Sequence, residues 1–230
     1  MRLADTLLVF ARYPAPGTVK TRLVPPLSPG QAAEVQTALI HAMVGWVTGW
    51  GGALRWVVTP DDRAAAFAQT VGCDAIVWPQ GEGDLGARLE RATCRAFDEG
   101  AGCVLLMGTD SPTLPVGTLA AAVDALQSAD AVLGPCDDGG YYLLGMNTPQ
   151  PALFADISWG GPDVADQTRR RAAACGLRWS ELPCSYDLDR IDDLRRAVRE
   201  LSLLSAPNAT AARSLAAGLG KILAEATEQP

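Results

Sequence analysis

The sequence predicts an α/β protein: a three-layer α/β/α fold around a twisted, mostly parallel but mixed sheet. Three observations lead there. Short β-rich apolar runs alternate with longer stretches of helical periodicity, the pattern of crossover connections that cover both faces of a sheet. The connection between the fifth and sixth runs is too short for a helical crossover, so those two strands form a hairpin or do not pair directly. Hydrophobic residues make up 48% and charged residues 20%, a globular composition that can offset the entropy of ordering.

In chain order, Thr6–Ala11 is an apolar run that ends in a Pro/Gly-rich loop and reads as a strand, and Pro29–Val47 follows as a helix. Leu54–Thr59 and Arg63–Val71 repeat the pair. Ala75–Trp78 is a short strand leading into the helical stretch Asp84–Glu99. Cys103–Met107 is a strand and Val116–Ser128 a helix. Ala131–Gly134 and Tyr141–Gly145 are the closely connected strands, followed by helix Pro162–Cys175, strand Leu177–Leu182 and helix Ile191–Leu201. Ser205–Ala209 ends that helix, and Asn208 is placed to cap a last one over about 208–226. Its stripe of Ala212, Leu215, Ala216, Leu219, Ile222 and Leu223 packs on the body or pairs two copies as a homodimer. No repeat or linker divides the chain, so one domain over 1–230 is expected.

A net charge of −7 argues against a chain that lives on nucleic acid, which is bound by clustered Lys and Arg. Arg12, Lys20 and Arg22 nevertheless form a local basic cluster suited to a small anion. The six cysteines include no CxxC pair and the one histidine, His41, lies in a helical run; zinc, thioredoxin-like and Ser/His chemistry are unsupported. The start lacks a signal peptide's apolar core, and no apolar stretch approaches the ~18 residues of a membrane span; a cytoplasmic protein is expected.

In an open α/β sheet ligands sit beyond the carboxyl ends of strands. After the first strand, Arg12-Tyr-Pro-Ala-Pro-Gly-Thr-Val-Lys-Thr-Arg-Leu stiffens and tightens a turn through Pro14, Pro16 and Gly17, while Lys20 and Arg22 match phosphate oxygens. It is a candidate triphosphate cradle, although the Gly that precedes the Lys of a Walker A loop is missing. After the third strand, Gly81, Gly83 and Gly86 make a formal GxGxxG with Asp84 inside it. It sits in the wrong βαβ unit for a dinucleotide site, yet its glycines let a flat base approach, and Gln80 has a donor and an acceptor for it. Asp110 at the end of the fourth strand is a natural Mg²⁺ (or Mn²⁺) ligand. Asp137 and Asp138 with Gly139, Gly140 and Tyr141 form an acidic turn. Asp187 and Asp189, two residues apart, face one way in an extended chain; either acidic pair could complete the metal site. Trp159, flanked by Gly160 and Gly161, is the tryptophan suited to a sugar or acceptor face.

Together, Phe10-Ala-Arg-Tyr-Pro-Ala-Pro-Gly-Thr-Val-Lys-Thr-Arg-Leu, Gln80-Gly-Glu-Gly-Asp-Leu-Gly, Gly108-Thr-Asp-Ser-Pro, Gly134-Pro-Cys-Asp-Asp-Gly-Gly-Tyr-Tyr-Leu and Ser158-Trp-Gly-Gly-Pro-Asp-Val resemble the bacterial DUF2064 family, often labelled a glycosyltransferase, over about residues 6 to 200. The resemblance implies a GT-A, nucleotide-diphospho-sugar transferase type of fold, shared with guanylyl- and cytidylyltransferases. It implies that Gly17, Lys20 and Arg22 contact phosphates, Gln80 and Gly81 the base, and Asp110 the metal, with Asp187 or Asp189 as partner. Ser111, Thr113 and Arg190-Ile191 depart from the family's usual residues; the first two are expected to touch the acceptor. The expected activity is Mg²⁺-dependent nucleotidyl transfer from a nucleoside triphosphate to a small phosphorylated or hydroxylated acceptor. A glycosyltransferase using a nucleotide-sugar is the alternative, and a silent nucleotide-binding module the third reading.

Overall fold

A computed structural model of the chain describes residues 5–72, 74–204 and 209–227. Asn208, proposed above as a cap, and Cys73 lie outside the described residues. The chain groups into two compact units, each assembled from separate stretches.

Unit one carries the sheet. Its strands are β1 (Thr6–Arg12), β2 (Ala53–Thr59), β3 (Val77–Pro79), β4 (Val104–Met107), β5 (Ala131–Pro135), β6 (Tyr141–Met146) and β7 (Trp179–Glu181), in the order β3-β2-β1-β4-β6-β5-β7. β1 runs parallel to β4 with Leu7 opposite Leu105, β2 parallel to β3, and β5 parallel to β7. β6 lies antiparallel to both β4 and β5. The short connection therefore closes a hairpin, with an irregularity at Gly134 and Pro135, and the sheet is mixed as expected. β4 is buried along its whole length, as a central strand covered on both faces must be.

The helices of this unit are α2 (Ala64–Val71), α3 (Leu85–Asp98), α4 (Thr118–Ala125) and α5 (Val164–Ala174). Strand side chains alternate between faces. Leu8, Val57, Leu106, Leu133 and Leu144 pack with Leu89, Ala92 and Ala96 of α3 and with Ala165 and Ala172 of α5. On the opposite face Trp56 meets Phe67 of α2, ring centroids 5.4 Å apart. At Gly145 of β6 a side chain would collide with Leu105, Val132 and Leu126, the last of these directly after α4. The three layers are thus present in this unit. α4 is shorter than the periodicity suggests, because a turn from Pro115 to Thr118, closed by the Thr118 hydroxyl, occupies the expected first turn.

Unit two gathers α1 (Pro29–Trp46), α6 (Ile191–Leu203) and α7 (Ala209–Thr227). α1 starts on a capping box: Ser28 accepts from the Gln31 backbone, the Gln31 side chain accepts from Ser28, and Pro29 sits in the first turn. The α7 stripe is buried within this unit, where Ala216, Leu219 and Ile222 pack with Leu194, Ala197 and Leu201 of α6 and Val35 and Leu39 of α1. His41 is exposed on α1. Among the described residues no helix is long and apolar enough to cross a membrane.

Candidate nucleotide and metal site

In unit two the loop after β1 is braced by its own backbone. Thr18 donates from its N–H and its hydroxyl to the Ala15 carbonyl, Gly17 takes φ +77°, and the exposed Arg12 reaches the Thr18 carbonyl at 3.3 Å. The loop delivers Lys20 in the left-handed conformation, φ 48° and ψ 37°, immediately before a 3₁₀ turn at Thr21–Leu23. A non-glycine residue there costs on the order of 1–3 kcal/mol and persists only where its surroundings hold it.

What holds Lys20 is a cage of oxygens. Its ammonium lies 3.0 Å from Asp110 Oδ1 and 3.5 Å from Asp189 Oδ1, and donates to the Leu188 carbonyl. The lysine side chain is 3% exposed, whereas those of Asp110 and Asp189 are 37% and 35% exposed. Arg22, half exposed, donates to the other Asp189 oxygen at 2.8 Å. Two carboxylates and two cations leave the cluster with no formal net charge.

Each carboxylate is oriented by neighbours. The Thr109 hydroxyl donates to Asp110 Oδ1 at 3.2 Å and accepts from the buried Gln36 amide at 3.0 Å, while the Leu188 N–H donates to the Asp110 carbonyl at 2.8 Å. Asp193, in the first turn of α6, accepts from the N–H groups of Asp189 and Arg190 at 3.2 and 2.7 Å. Asp187 and Asp189 are both partly exposed on either side of the buried Leu188, as the two-residue alternation predicts, but they do different work. Asp189 shares Lys20 with Asp110, and Asp187 accepts the hydroxyl of the buried Ser111.

The donor set suits a hard divalent cation in part. No group of three or more His, Cys, Asp or Glu able to hold a metal occurs among the described residues. Asp110 and Asp189 converge on one point, and two carboxylates completed by water and substrate phosphates is the usual Mg²⁺ shell.

Unit one holds the remaining predicted residues. Gln80 is buried, and its amide is consumed internally: it donates to the carbonyls of Ala11 and Val57 at 3.3 and 3.0 Å and accepts from Arg88 at 3.2 Å. The side chain that looked available to a base fixes its own loop instead. The loop is further clamped by Arg91, which donates to the carbonyls of Gln80 and Glu82, and by Asp61, which accepts the Gly81 N–H. Gly81 and Gly83 have φ +75° and +99°. Asp84 caps α3 by accepting from the Ala87 N–H, a role that an acid just before an apolar-periodic stretch can signal from sequence. Gly86 lets the chain approach Trp159: a side chain there would stand 2.7 Å from the indole nitrogen and 2.7 Å from the Phe154 carbonyl.

In the β5–β6 turn, Asp138 accepts from the Gly140 N–H and so shapes the turn. Gly139, at φ +87°, accepts at its carbonyl from the Ala165 N–H, and its α-carbon faces the Pro162 carbonyl closely enough to exclude any side chain. Asp137 is exposed. Tyr141 meets the partly buried Trp159 edge-on, centroids 6.4 Å apart, and burial holds its hydroxyl well above the ordinary tyrosine range. Sequence reasoning passed over Gln36, Thr109, Arg88, Arg91 and the Leu188 carbonyl. The two arginines, three apart on one helix, carried a usable signal beside the glycine loop; the other three carried none.

The fold and this constellation define a transferase of the nucleotide-diphospho-sugar transferase type. A structure from Desulfovibrio desulfuricans G20, assigned as a nucleotide-diphospho-sugar transferase, superposes with a TM-score of 0.85 at 30% identity, covering 95% of this chain and 97% of that one. The family model for an uncharacterized protein conserved in bacteria (DUF2064) matches residues 47–161, and the chain belongs to that family. It is 31% identical over 145 residues to the phosphoenolpyruvate guanylyltransferase of Chloroflexus aggregans, covering 61% of this chain and 69% of the relative. It is 30% identical over 179 residues to the enzyme of that name from Rubrobacter xylanophilus, covering 77% and 86%.

Proposed function

We propose that the chain is a divalent-metal-dependent nucleotidyltransferase: an acceptor oxygen attacks the α-phosphorus of a nucleoside triphosphate, the new P–O bond forms, the α–β bond breaks, and pyrophosphate leaves. The observation that carries this reading is that Lys20 meets both Asp110 and Asp189 while Arg22 meets Asp189, which gathers two cations and two carboxylates in one cluster. Lys20 and Arg22 neutralise the charge that builds on the departing pyrophosphate, and no covalent enzyme intermediate is needed. Asp110 and Asp189 would hold the metal, which would supply Lewis-acid polarisation of the phosphates.

The guanylyltransferase names of two relatives near 30% identity support GTP as donor and a small phosphorylated carboxylic acid as acceptor. The proposed base contact is the backbone N–H of Glu82 and Gly83, since the Gln80 amide and the Gly81 N–H are engaged within the loop, and the proposed acceptor contacts are Asp137 and Trp159.

The test is pyrophosphate release from each of the four nucleoside triphosphates with phosphoenolpyruvate and related acceptors. GTP-selective release should fall on the order of 10²–10³-fold in Lys20→Ala. Undiminished release in that variant, or nucleotide-sugar turnover without triphosphate turnover, would overturn the assignment; the latter would give the glycosyltransferase reading that the Desulfovibrio likeness also allows.

A further inference from the structure

The ammonium of Lys20 stands where two carboxylate oxygens and a main-chain carbonyl converge, between the two acids that would hold a metal ion. Lysine is not needed there to cover a hydrophobic surface: it is the buried member of the cluster, while both acids remain more than a third exposed on their open sides. The residue is fixed in a left-handed backbone conformation, and its loop is braced by Arg12 and Thr18, so its head is aimed inward rather than draped over the surface. An ammonium and a dication cannot both occupy the point between the two acids, because they repel each other strongly at contact.

We propose that Lys20 is an internal stand-in for the metal ion and sets the order of binding. This rests on the nucleotidyltransferase reading and deepens it. In the ligand-free protein Lys20 balances Asp110 and Asp189, and the cluster, neutral once Arg22 is counted, gives a free divalent cation little to gain by entering. A triphosphate offers the ammonium a better set of oxygens. Lys20 turns toward the phosphate chain, the two carboxylates are released, and the cation enters with the nucleotide. Metal and nucleotide are then thermodynamically coupled through one side chain, and by linkage each raises the other's affinity. No bond is made or broken in this exchange; one cation replaces another on the acids.

The test is Mn²⁺ binding, followed by electron paramagnetic resonance, to the full chain without nucleotide. Wild type should bind Mn²⁺ weakly. Lys20→Met should bind it at least ten-fold more tightly, and the gain should vanish in Lys20→Met combined with Asp110→Asn. Lys20→Gln, which keeps a donor for the Leu188 carbonyl, is the second variant should Lys20→Met fail to fold, and it should show the same gain. Equal Mn²⁺ affinity in wild type and the folded lysine variant would overturn the stand-in role. That failure is distinct from failure of the underlying reading, which would show as wild-type protein that neither binds nor turns over a triphosphate with metal present.

Discussion

The side-chain amide of Gln36 donates to the hydroxyl of Thr109 across 73 residues of sequence, at 3.0 Å and out of contact with solvent. Thr109 in turn donates to Asp110, so an amide on α1 sets the rotamer of a proposed metal ligand. Gln36→Met should remove this support while roughly conserving volume. Partners of metal ligands typically contribute about 10–100-fold to metal affinity or activity, and a loss in that range is expected, with a stability cost of about 1–2 kcal/mol from the lost buried hydrogen bond. Metal titrations of activity, with a urea melt alongside, separate the two effects; loss of stability without loss of metal affinity would remove Gln36 from the site's support.

Arg91 ties down the loop through the carbonyls of Gln80 and Glu82 at 2.6 and 2.8 Å. Arg91→Met should raise the KM for the nucleoside triphosphate about ten-fold and leave kcat within about two-fold, the signature of weakened uniform binding. Steady-state kinetics with the preferred triphosphate checks it.

Gly139 combines a φ of +87° with a close approach to the Pro162 carbonyl. Gly139→Ala should destabilise by about 3 kcal/mol or more, since backbone strain and a clash with main chain add. Gly160, also at positive φ but facing open space, is the control: Gly160→Ala should cost only about 1–2 kcal/mol of backbone strain. Thermal melts of the two variants side by side measure the difference.

Tyr142 donates its hydroxyl to the Pro183 carbonyl at 3.0 Å, and burial first, with the neighbouring Cys136 adding to it, pushes its ionisation up to about 12. The unfolded chain ionises tyrosine near pH ~10. The folded state therefore holds the extra proton, and the stabilising contribution is complete below pH ~10 and is lost as pH rises from there through about 12. Urea melts at pH 8 and pH 11 should show a larger alkaline loss in wild type than in Tyr142→Phe; equal losses would mean that folding does not raise the ionisation of this hydroxyl.

Much of the scaffold was readable because its signals are local. Thr6–Ala11, Leu54–Thr59 and the hairpin strands 131–134 and 141–145 are short β-rich, mostly apolar runs, and the structure extends each by one residue. The cluster of Lys20, Arg22, Asp110 and Asp189 was also legible, since cations after the first strand and acids after later ones follow from where α/β sheets bind ligands. The roles within it were not. Nothing in the spacing of Asp187 and Asp189 tells which one meets Lys20, because that depends on Ser111 taking the other. Gln80 misled for the same reason: an amide beside a glycine loop is equally suited to a ligand or to two main-chain carbonyls, and only the positions of Ala11 and Val57 decide it. Asp84 was read as part of a binding loop although its place at the head of α3 already suited a cap.

Unit two is built from three stretches that lie far apart along the chain, and the Lys20 cluster draws on every one of them. Lys20 and the carbonyl it grips on Leu188 are separated by 168 residues. During synthesis the lysine leaves the ribosome early and its last partners emerge only when most of the polypeptide has been made. A nascent or prematurely terminated chain can form much of the β-sheet, yet its Lys20 lacks the partners that Leu188 and Asp189 supply until the segment just before α6 has been made.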